Sequence, residues 1–259
     1  MKNDFSSKRK LFTKMVIGIA VYVLAYSIVM LIFQFQNISG NILSTCLPAT
    51  IAGICSFLTL SHDIRKTLLY NKEAIFVNKP YYIIFVILTA ISLTIIFNFV
   101  FSLIPWDVFG SENIVQDNDA FYSVPLSFRI IAYVFLIPLS EEILFRGVIY
   151  SHFKELLPFW AAALLTGLMF GLYHGNLMQG LYGFFMGTVM CLILYYGGTF
   201  IYPILFHMVA NLVSNLCYEY EHIYKVVYSP WGIALAFAYL VVAIIMSYVF
   251  KNRLTLKDK

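Results

Sequence analysis

Charged residues are scarce in this chain of 259 residues, of which Asp, Glu, Lys and Arg make up 12% and hydrophobic residues 61%. The mean hydropathy of +0.82 is far above that of an ordinary soluble domain. Apolar runs of about 18 residues or more recur between short polar breaks, which is typical of transmembrane helices. The formal net charge of +4 reflects Lys and Arg beside these runs, so it indicates no nucleic-acid partner. The composition predicts an all-α, polytopic transmembrane helix bundle.

Cysteine is also sparse, and no two cysteines form a CxxC pair. The four cysteines lie in or beside the predicted spans: Cys46, Cys55, Cys191 and Cys217. Buried cysteine usually behaves as a small hydrophobic residue. The sequence therefore favours structural cysteines over a disulfide or a cysteine-ligated metal.

Several signatures of known hydrolases and transporters are missing. The chain has no HExxH, the zincin arrangement, and no GxSxG nucleophile elbow. No paired aspartates lie in separate spans, and no convincing internal repeat is present, which disfavours a transporter built from inverted repeats. Any hydrolytic chemistry must therefore come from other side chains.

The apolar runs predict about eight spans of roughly 20 residues each. They form one membrane domain, 1–259, with a motif-bearing core at about 125–217. The first run exceeds a signal-peptide core and lacks a cleavage site, so it is predicted to be an uncleaved span. The predicted spans are 13–35, 41–61, 81–104, 126–150, 158–176, 178–196, 198–217 and 231–250.

Basic and acidic residues occupy different polar regions. The N-terminus, the break at 62–80 and the C-terminus are basic, whereas the break at 105–125 carries four acidic residues and no Lys or Arg. Lys and Arg favour the cytoplasmic side of a membrane. An even number of spans then places both termini in the cytoplasm and the acidic loop outside. The acidic residues are Asp107, Glu112, Asp117 and Asp119.

A pair of glutamates, Glu141 and Glu142, falls inside a predicted span. A charged side chain at the bilayer centre costs at least about 2.5–3.5 kcal/mol, so such residues face the protein interior and mark functional sites. On a helix Glu142 and Arg146 share a face, whereas Glu141 is rotated by about 100°. Phe145 lies four residues after Glu141 and is expected to wall its pocket. Pro138 removes a backbone donor, which membranes tolerate where the backbone lines a cavity.

Two further spans carry polar side chains at helical spacing. Phe170 and His174 are four residues apart, as are His207 and Asn211. A lone histidine in a helix bundle is more often structural than catalytic. Here, however, three spans present an acid, an imidazole or an amide, and buried polar groups need partners. We expect these groups to meet.

Other polar residues have simpler interpretations. Arg129 is expected to snorkel from the outer end of its span, and His152 and His222 to be solvated in polar breaks. Glycines at small-xxx-small spacing favour close helix packing: Gly171/Gly175 and Gly183/Gly187.

A carboxylate, two imidazoles and an amide support hydrolysis. A carboxylate can activate water for attack on a carbonyl, and an imidazole and an amide can donate hydrogen bonds to the oxyanion that forms. The same groups could instead hold a divalent metal, since two histidines and a carboxylate form a known ligand set. The residues alone leave both possibilities open.

The motifs EExxxR, FxxxH and HxxxN, in this order on separate spans, resemble those of the CAAX-protease and bacteriocin-processing family, the Abi proteins of bacteria. The resemblance covers about 125–215 and implies an intramembrane glutamic endopeptidase that requires no metal or other cofactor. It implies Glu141 as the base, aided by His174, with His207 and Asn211 as the oxyanion hole. Glu142, Arg146 and Phe170 would support the site. The division between the two glutamates rests on the helical faces and the resemblance together.

The resemblance implies a peptide or a lipidated or membrane protein as substrate, and the composition favours a multi-pass protein of a bacterial plasma membrane. A non-catalytic scaffold or a bacteriocin-immunity protein on the same fold is the alternative, and a proton-relay transporter is a third. One tension concerns depth: Glu141 lies toward the cytoplasmic half of its predicted span and His174 toward the outer end of its own. We expect the fourth span to start later, after Pro125 or nearer Ile131, which would move Glu141 outward. The alternative is that the predicted fifth span is misplaced.

Overall fold

A computed structural model describes residues 2–36, 42–69, 71, 74–76, 80–105 and 124–255 of the chain. All regular secondary structure in these residues is helical, and none of them forms a strand. The predicted all-α fold is therefore confirmed. The acidic residues at 107–119 and the basic residues Lys72 and Lys79 lie outside the described residues.

The helices follow the order of the predicted spans, with short helices added at the polar breaks. In chain order they are α1 (Lys2–Phe35), α2 (Ile42–Leu58), α3 (His62–Leu69), α4 (Pro80–Ser102), α5 (126–156), α6 (Phe159–Tyr173), α7 (Leu177–Gly197), α8 (Ile201–Glu219), α9 (Glu221–Val227) and α10 (Pro230–Thr255).

Helix α5 has an unusual backbone, in which α-helical turns alternate with two wider π-helical stretches. These stretches are Ile130–Leu136 and Ile143–Tyr150, and the α-helical turn Ile137–Glu142 lies between them. π-helical turns are rare and frequently occur at functional sites. The glutamate pair thus ends the short α-helical turn that separates the two π stretches.

Four described helices are long and apolar enough to cross a membrane, α1, α4, α7 and α8, and a fifth span results if the bent pair α9 and α10 counts as one. The shorter apolar segments Cys46–Leu58 and Phe159–Tyr173 belong to α2 and α6. A multi-pass membrane protein follows from these helices. The count of eight spans and the location of the termini stay predictions.

Helix α1 lies against α2 and α5 and runs antiparallel to α5. Ser56 donates to the carbonyl of Gly18 at 2.9 Å, and Tyr22 lies 3.5 Å from Ser140 between their hydroxyl oxygens. A Cβ on Gly18 would collide with Val148. The basic N-terminal part of α1 therefore points toward the end of the bundle where α5 finishes.

That end of the bundle also holds α3 and the loop between α7 and α8. The amide of Asn71 donates to the carbonyl of Gly198 at 2.7 Å, and the amide of Phe200 donates to the carbonyl of Leu68 at 2.8 Å. Gly198 has φ 70°, a left-handed conformation that favours glycine. We call this end the basic end, because it carries the Lys and Arg residues Lys8, Arg9, Lys10, Lys14, Arg65, Lys66 and Lys154.

Helices α6 and α7 pack closely through glycines. A Cβ on Gly171 would collide with the carbonyl oxygen of Gly180, and one on Gly187 would lie 3.2 Å from the Cα of Gly167. A Cβ on Gly183 would lie 3.3 Å from the Cα of Gly171. The predicted packing role is confirmed for Gly171, Gly183 and Gly187.

Gly175 does not pack against a neighbouring helix as Gly171 does. It has φ 74°, and a Cβ at this position would meet no heavy atom within 4 Å. It directly follows His174, the C-cap of α6, where a left-handed glycine commonly ends a helix. Asn176 then caps α7 by accepting from the amide of Gln179 at 2.8 Å.

The depth of Glu141 is explained by the length of α5. The helical segment begins at Leu126, as the sequence predicts, but continues to Leu156 instead of ending near 150. Glu141 is thus close to its midpoint. The helix starts directly after Pro125, one of the two expected positions, and not near Ile131. The mismatch in depth disappears because the segment is longer at its other end.

Candidate active site

The two glutamates have different partners although they are neighbours in sequence. Glu142 is completely buried, and its Oε1 accepts a hydrogen bond from Nη1 of Arg146 at 2.8 Å. Nη2 of Arg146 donates to the carbonyl of Gly187 at 2.8 Å. The predicted contact between Glu142 and Arg146 is therefore present, and the arginine also ties α5 to α7.

His207 on α8 lies between the two carboxyl groups. Its Nδ1 is 3.0 Å from Oε1 of Glu142, and its Nε2 is 3.6 Å from Oε2 of Glu141. Because a carboxylate can only accept, the Nδ1–H donates to Glu142. Nε2 is left on the side of Glu141, at a distance longer than a hydrogen bond.

Phe170 on α6 explains the aromatic position of the FxxxH motif. Its ring meets the rings of His174 and His207 edge-on, at centroid distances of 4.9 and 5.7 Å. The guanidinium carbon of Arg146 lies 4.9 Å from the centre of the same ring. A cation over an aromatic face is attracted by the ring quadrupole. Phe170 thus holds both imidazoles and the arginine in place.

His174 is oriented by its own helix. Its Nδ1 lies 2.8 Å from the carbonyl oxygen of Phe170, and a carbonyl can only accept, so Nδ1 carries the proton. In a neutral ring this makes Nε2 an acceptor. His174 is partly exposed and lines the same cavity as Glu141. The second imidazole is thereby prepared to accept a hydrogen bond inside the cavity.

Asn211 is fixed by a backbone carbonyl in the first π-helical stretch of α5. The amide of Ile137 donates to the carbonyl of Ala132, the i to i−5 pattern of a π-helix. The same pattern would pair the carbonyl of Tyr133 with residue 138, which is Pro138 and has no N–H. Nδ2 of Asn211 donates to that carbonyl at 2.7 Å instead. The expectation that Pro138 frees backbone lining a cavity is confirmed.

The predicted residues surround one cavity of about 410 Å³. Four of them contribute to its wall: Glu141, His174, His207 and Asn211. The supporting residue Phe170 also lines it, whereas Glu142 and Arg146 are fully buried beside it. Three helices, α5, α6 and α8, therefore bring the acid, both imidazoles and the amide to a common cavity.

The wall around Glu141 differs in detail from the prediction. Phe145 is buried behind the cavity, where it packs edge-on against Phe170 at 4.9 Å and Tyr173 at 5.4 Å between ring centroids. Phe170 and Tyr173 form the wall itself. Phe145 therefore packs behind Phe170 and Tyr173 and supports the aromatic wall without lining the cavity itself.

Two polar residues do not behave as the sequence indicated. Arg129 does not snorkel: its side chain is 1% exposed and pairs with Glu219, which joins the start of α5 to the end of α8. His152 is not solvated: it is buried, with Nδ1 2.6 Å from the carbonyl oxygen of Val148. His152 is covered because α5 continues past residue 150, and Arg129 is covered because it pairs with Glu219 of α8. His222 is exposed, as expected.

Sequence reasoning missed several residues of the cavity. Tyr26 of α1 reaches it, although its helix carries no motif. Gln179, Tyr182 and Ser214 also line it, and their spacing carries no signal stronger than that of other polar residues in apolar helices. Asn215 also lines the cavity, and its Nδ2 donates to the carbonyl of Asn211 within α8 at 2.9 Å.

None of the four cysteines forms a disulfide: Cys46, Cys191 and Cys217 are buried and Cys55 is partly buried. Within the described ranges, no three His, Cys, Asp or Glu side chains are grouped as ligands of one metal ion. The expectation of a metal-independent reaction stays a prediction.

A comparison with protein families identifies the segment that carries this geometry. Residues 123–213 match the family described as Rce1-like, type II CAAX prenyl endopeptidase. This segment, about a third of the chain, is similar to that family. The matched segment contains all three motifs, so the resemblance seen in the motifs is confirmed. Residues 1–122 and 214–259 lie outside the match.

The Rce1-like segment supports a membrane endopeptidase of the CAAX-protease type, acting on a membrane protein or peptide in a lipid bilayer. It extends from just before α5 into the last third of α8, so it includes the whole charged cluster. No curated protein and no solved structure matches the chain. Bacteriocin immunity finds no support in the family match.

Proposed function

We propose that the chain is an intramembrane endopeptidase in which Glu141 activates a water molecule to cleave a peptide bond. The observation that carries the proposal is the difference between the two glutamates. Glu142 is held by Arg146 and His207, whereas Oε2 of Glu141 has His207 at 3.6 Å and lines the cavity. A general base must reach the proton that it abstracts. Glu141 meets that requirement, and Glu142 does not.

His174 is the second group that contacts the water. With its proton on Nδ1, its Nε2 accepts a hydrogen bond from the water, while Glu141 accepts the other. Two acceptors on one water orient its lone pair toward a substrate carbonyl, which lowers the entropic cost of the attack. Phe170 fixes the ring by edge contact, so the imidazole keeps this orientation.

In this proposal His207 and Asn211 stabilise the oxyanion. Asn211 uses one N–H for the carbonyl of Tyr133 and has a second N–H available. His207 already donates from Nδ1 to Glu142, so donation from Nε2 requires a doubly protonated ring. In the proposed mechanism this imidazolium lies between two glutamates, with Arg146 balancing the charge of Glu142.

The bond changes follow from these positions. Glu141 takes a proton as the water oxygen bonds to the carbonyl carbon, and the carbonyl oxygen becomes an oxyanion held by His207 and Asn211. Collapse of the tetrahedral intermediate breaks the carbon–nitrogen bond. The proton on Glu141 passes to the leaving amine, which regenerates the carboxylate. The products are a carboxylic acid and an amine. The acid then loses its proton to the amine, which leaves a carboxylate and an ammonium group, and no redox step is involved.

The proposal is tested by cleavage of a peptide library in heavy-oxygen water. The full-length chain, reconstituted in liposomes, is incubated with peptides, and the products are identified by mass spectrometry. We expect one heavy oxygen in each new carboxyl group, and cleavage that persists after exhaustive chelation. The matched control for the Glu141→Gln chain is Glu155→Gln. It changes an exposed glutamate of the same helix and should leave cleavage unchanged.

Two outcomes would contradict this mechanism. Cleavage lost on chelation and restored by zinc would support the alternative in which the two histidines and a carboxylate hold a metal. Wild-type cleavage by a Glu141→Gln chain would remove the proposed base and favour the non-catalytic scaffold.

A further inference from the structure

The cavity at Glu141 continues into a groove between α4, α7 and α8. A second cavity adjoins the first, toward the end of α8. Three residues line both cavities: Gln179, Tyr182 and Ser214. A third cavity lies further out and shares Asn98 and Ser214 with the second. Because each cavity shares lining residues with the next, the three cavities together form one continuous groove. The path ends beside α9, at Glu221 and Tyr224.

The groove has both aromatic and hydrogen-bonding walls. Tyr182 stands at its junction with the cavity, where its hydroxyl donates to Thr94 at 3.5 Å and its ring meets Phe97 edge-on at 6.1 Å. Nδ2 of Asn98 donates to the hydroxyl of Tyr228 at 3.1 Å. An extended peptide needs hydrogen-bonding partners along its backbone and apolar contacts for its side chains. A lipid tail needs only the apolar contacts, so the mixed walls favour a peptide.

The groove leaves the bundle opposite the basic end. It runs toward the turn at Gly175 and the end of α8, whereas the basic end holds the N-terminal part of α1, α3 and the last turn of α5. Near the groove, the charges of the described residues are paired, Arg129 with Glu219 and Lys225 with Glu221. Lys and Arg are enriched on the cytoplasmic side of membrane proteins. The mouth of the groove therefore faces away from the cytoplasm.

We infer that the substrate is an extended peptide segment presented on the non-cytoplasmic side of the membrane, which reaches Glu141 through the groove between α4, α7 and α8. This inference rests on the proposed hydrolase function. It names an exported peptide, or a membrane protein with an outward-facing segment, as the class of substrate. A lipidated tail on the cytoplasmic side would meet the basic end, where the groove does not open.

The test is cysteine labelling in intact bacterial cells that express the full chain. The parent chain has Cys46, Cys55, Cys191 and Cys217 replaced by alanine, and single cysteines are introduced by Ser214→Cys, Ser127→Cys and Lys66→Cys. Ser214 lies in the groove, Ser127 is exposed at the same end of the bundle but outside the groove, and Lys66 is exposed at the basic end. The probe is a membrane-impermeant maleimide.

We expect labelling of the Ser214→Cys and Ser127→Cys chains in intact cells, and of the Lys66→Cys chain only after permeabilisation. The maleimide adduct at 214 should raise the KM for a cleaved library peptide by about tenfold or more, because it narrows the path without touching the reacting groups. The adduct at 127 should leave KM and kcat unchanged. A second probe that attaches to the introduced cysteine at 214 through a disulfide can be removed with a reductant, and recovery of the KM after removal separates blockage from misfolding.

Labelling at 214 and 127 only after permeabilisation, with labelling at 66 in intact cells, would overturn the inferred orientation. An adduct at 214 that leaves KM unchanged would overturn the groove as the path of the substrate. The labelling pattern itself does not require catalysis. A chain that cleaves no peptide would contradict the proposed function while leaving the orientation measurable.

Discussion

Helices α1 and α8 show opposite relations between hydrophobicity and burial. Helix α1 is the more apolar of the two, yet 11% of its most apolar stretch is buried in the protein, against 39% for α8. In water the more apolar helix would be the more buried. In a bilayer the apolar surface can face lipid, while polar and small residues pack between helices. The less apolar helix is inside because it carries the groups that lipid cannot solvate.

The same contrast explains why the proposed catalytic residues lie on α8 and not on α1. Helix α8 contributes His207, Asn211 and Asn215 to the cavity wall, whereas α1 contributes mainly the ring of Tyr26. Large side chains of α1 such as Leu24 and Ile28 are exposed, as lipid-facing side chains would be. Substitutions should therefore be costly on α8 and its neighbours and nearly silent on the outer face of α1.

The largest expected effect is on the buried ion pair that supports α8. Arg146→Met leaves Glu142 buried without its cation and removes the donor to Gly187, so the free energy of unfolding should fall by about 3–5 kcal/mol. The matched control is Lys225→Met, which breaks a pair of the same i, i+4 spacing in which both side chains are exposed. That change should cost no more than about 1 kcal/mol. Unfolding in mixed detergent micelles measures both, and equal losses would refute the contrast.

The next effect is catalytic and belongs to α8 itself. His207→Ala removes a proposed oxyanion donor, so kcat should fall by about 10²–10³-fold. Asn211→Ala should lower kcat in the same direction. The comparison variant is Asn215→Ala, because Asn215 lies on the same helix and lines the same cavity but donates to the carbonyl of Asn211 and is not a proposed oxyanion donor. It should lower kcat less than either change. A change in KM alone, with kcat unchanged in the His207→Ala chain, would contradict the proposed role.

A smaller effect is expected where α6 and α7 touch. Gly187→Val places side-chain atoms against Phe170 and Gly167, where a Cβ would already lie 3.0–3.2 Å from its neighbours. Overpacking of this kind costs about 1–3 kcal/mol. Activity should fall as well, because Phe170 positions both imidazoles. Gly175→Asn, at the turn, is a control for glycine replacement without crowding, since asparagine tolerates a left-handed backbone.

The smallest effect is predicted for the outer face of α1. Ile28 is 55% exposed, so Ile28→Val should change the free energy of unfolding by less than about 0.5 kcal/mol and leave cleavage unchanged. Thermal unfolding in liposomes and the cleavage assay measure the two quantities. A loss like that at Arg146 would mean that α1 is covered by a protein surface instead of lipid.

Sequence patterns predicted the contacts that are local and missed those that are distant. The pair Glu142 and Arg146 follows from i, i+4 spacing, and the consequence of Pro138 follows from its missing donor. Arg129 pairs with Glu219, which is distant in sequence, so no periodicity could indicate that it is buried. His152 was expected in a polar break because the length of α5 could not be read from hydropathy alone.

The motif order predicted which helices meet, but the shape of the cavity depends on backbone details. The π-helical stretches of α5 have no simple sequence signature, and they decide that Asn211 donates to Tyr133. Tyr26 reaches the cavity from a helix that carries no motif. The polar groups could thus be predicted from the sequence, whereas the walls around them required the packing of the whole bundle.

The sharpest distinction between the two glutamates comes from comparing Glu141→Gln with Glu142→Gln in the same assays of cleavage and unfolding. We expect Glu141→Gln to lower kcat by about 10²-fold or more and to leave the free energy of unfolding close to that of the parent chain. Glu142→Gln should lower the free energy of unfolding first, since its partners Arg146 and His207 lose their carboxylate. Parent-level cleavage by the Glu141→Gln chain would contradict the assignment of Glu141 as the base.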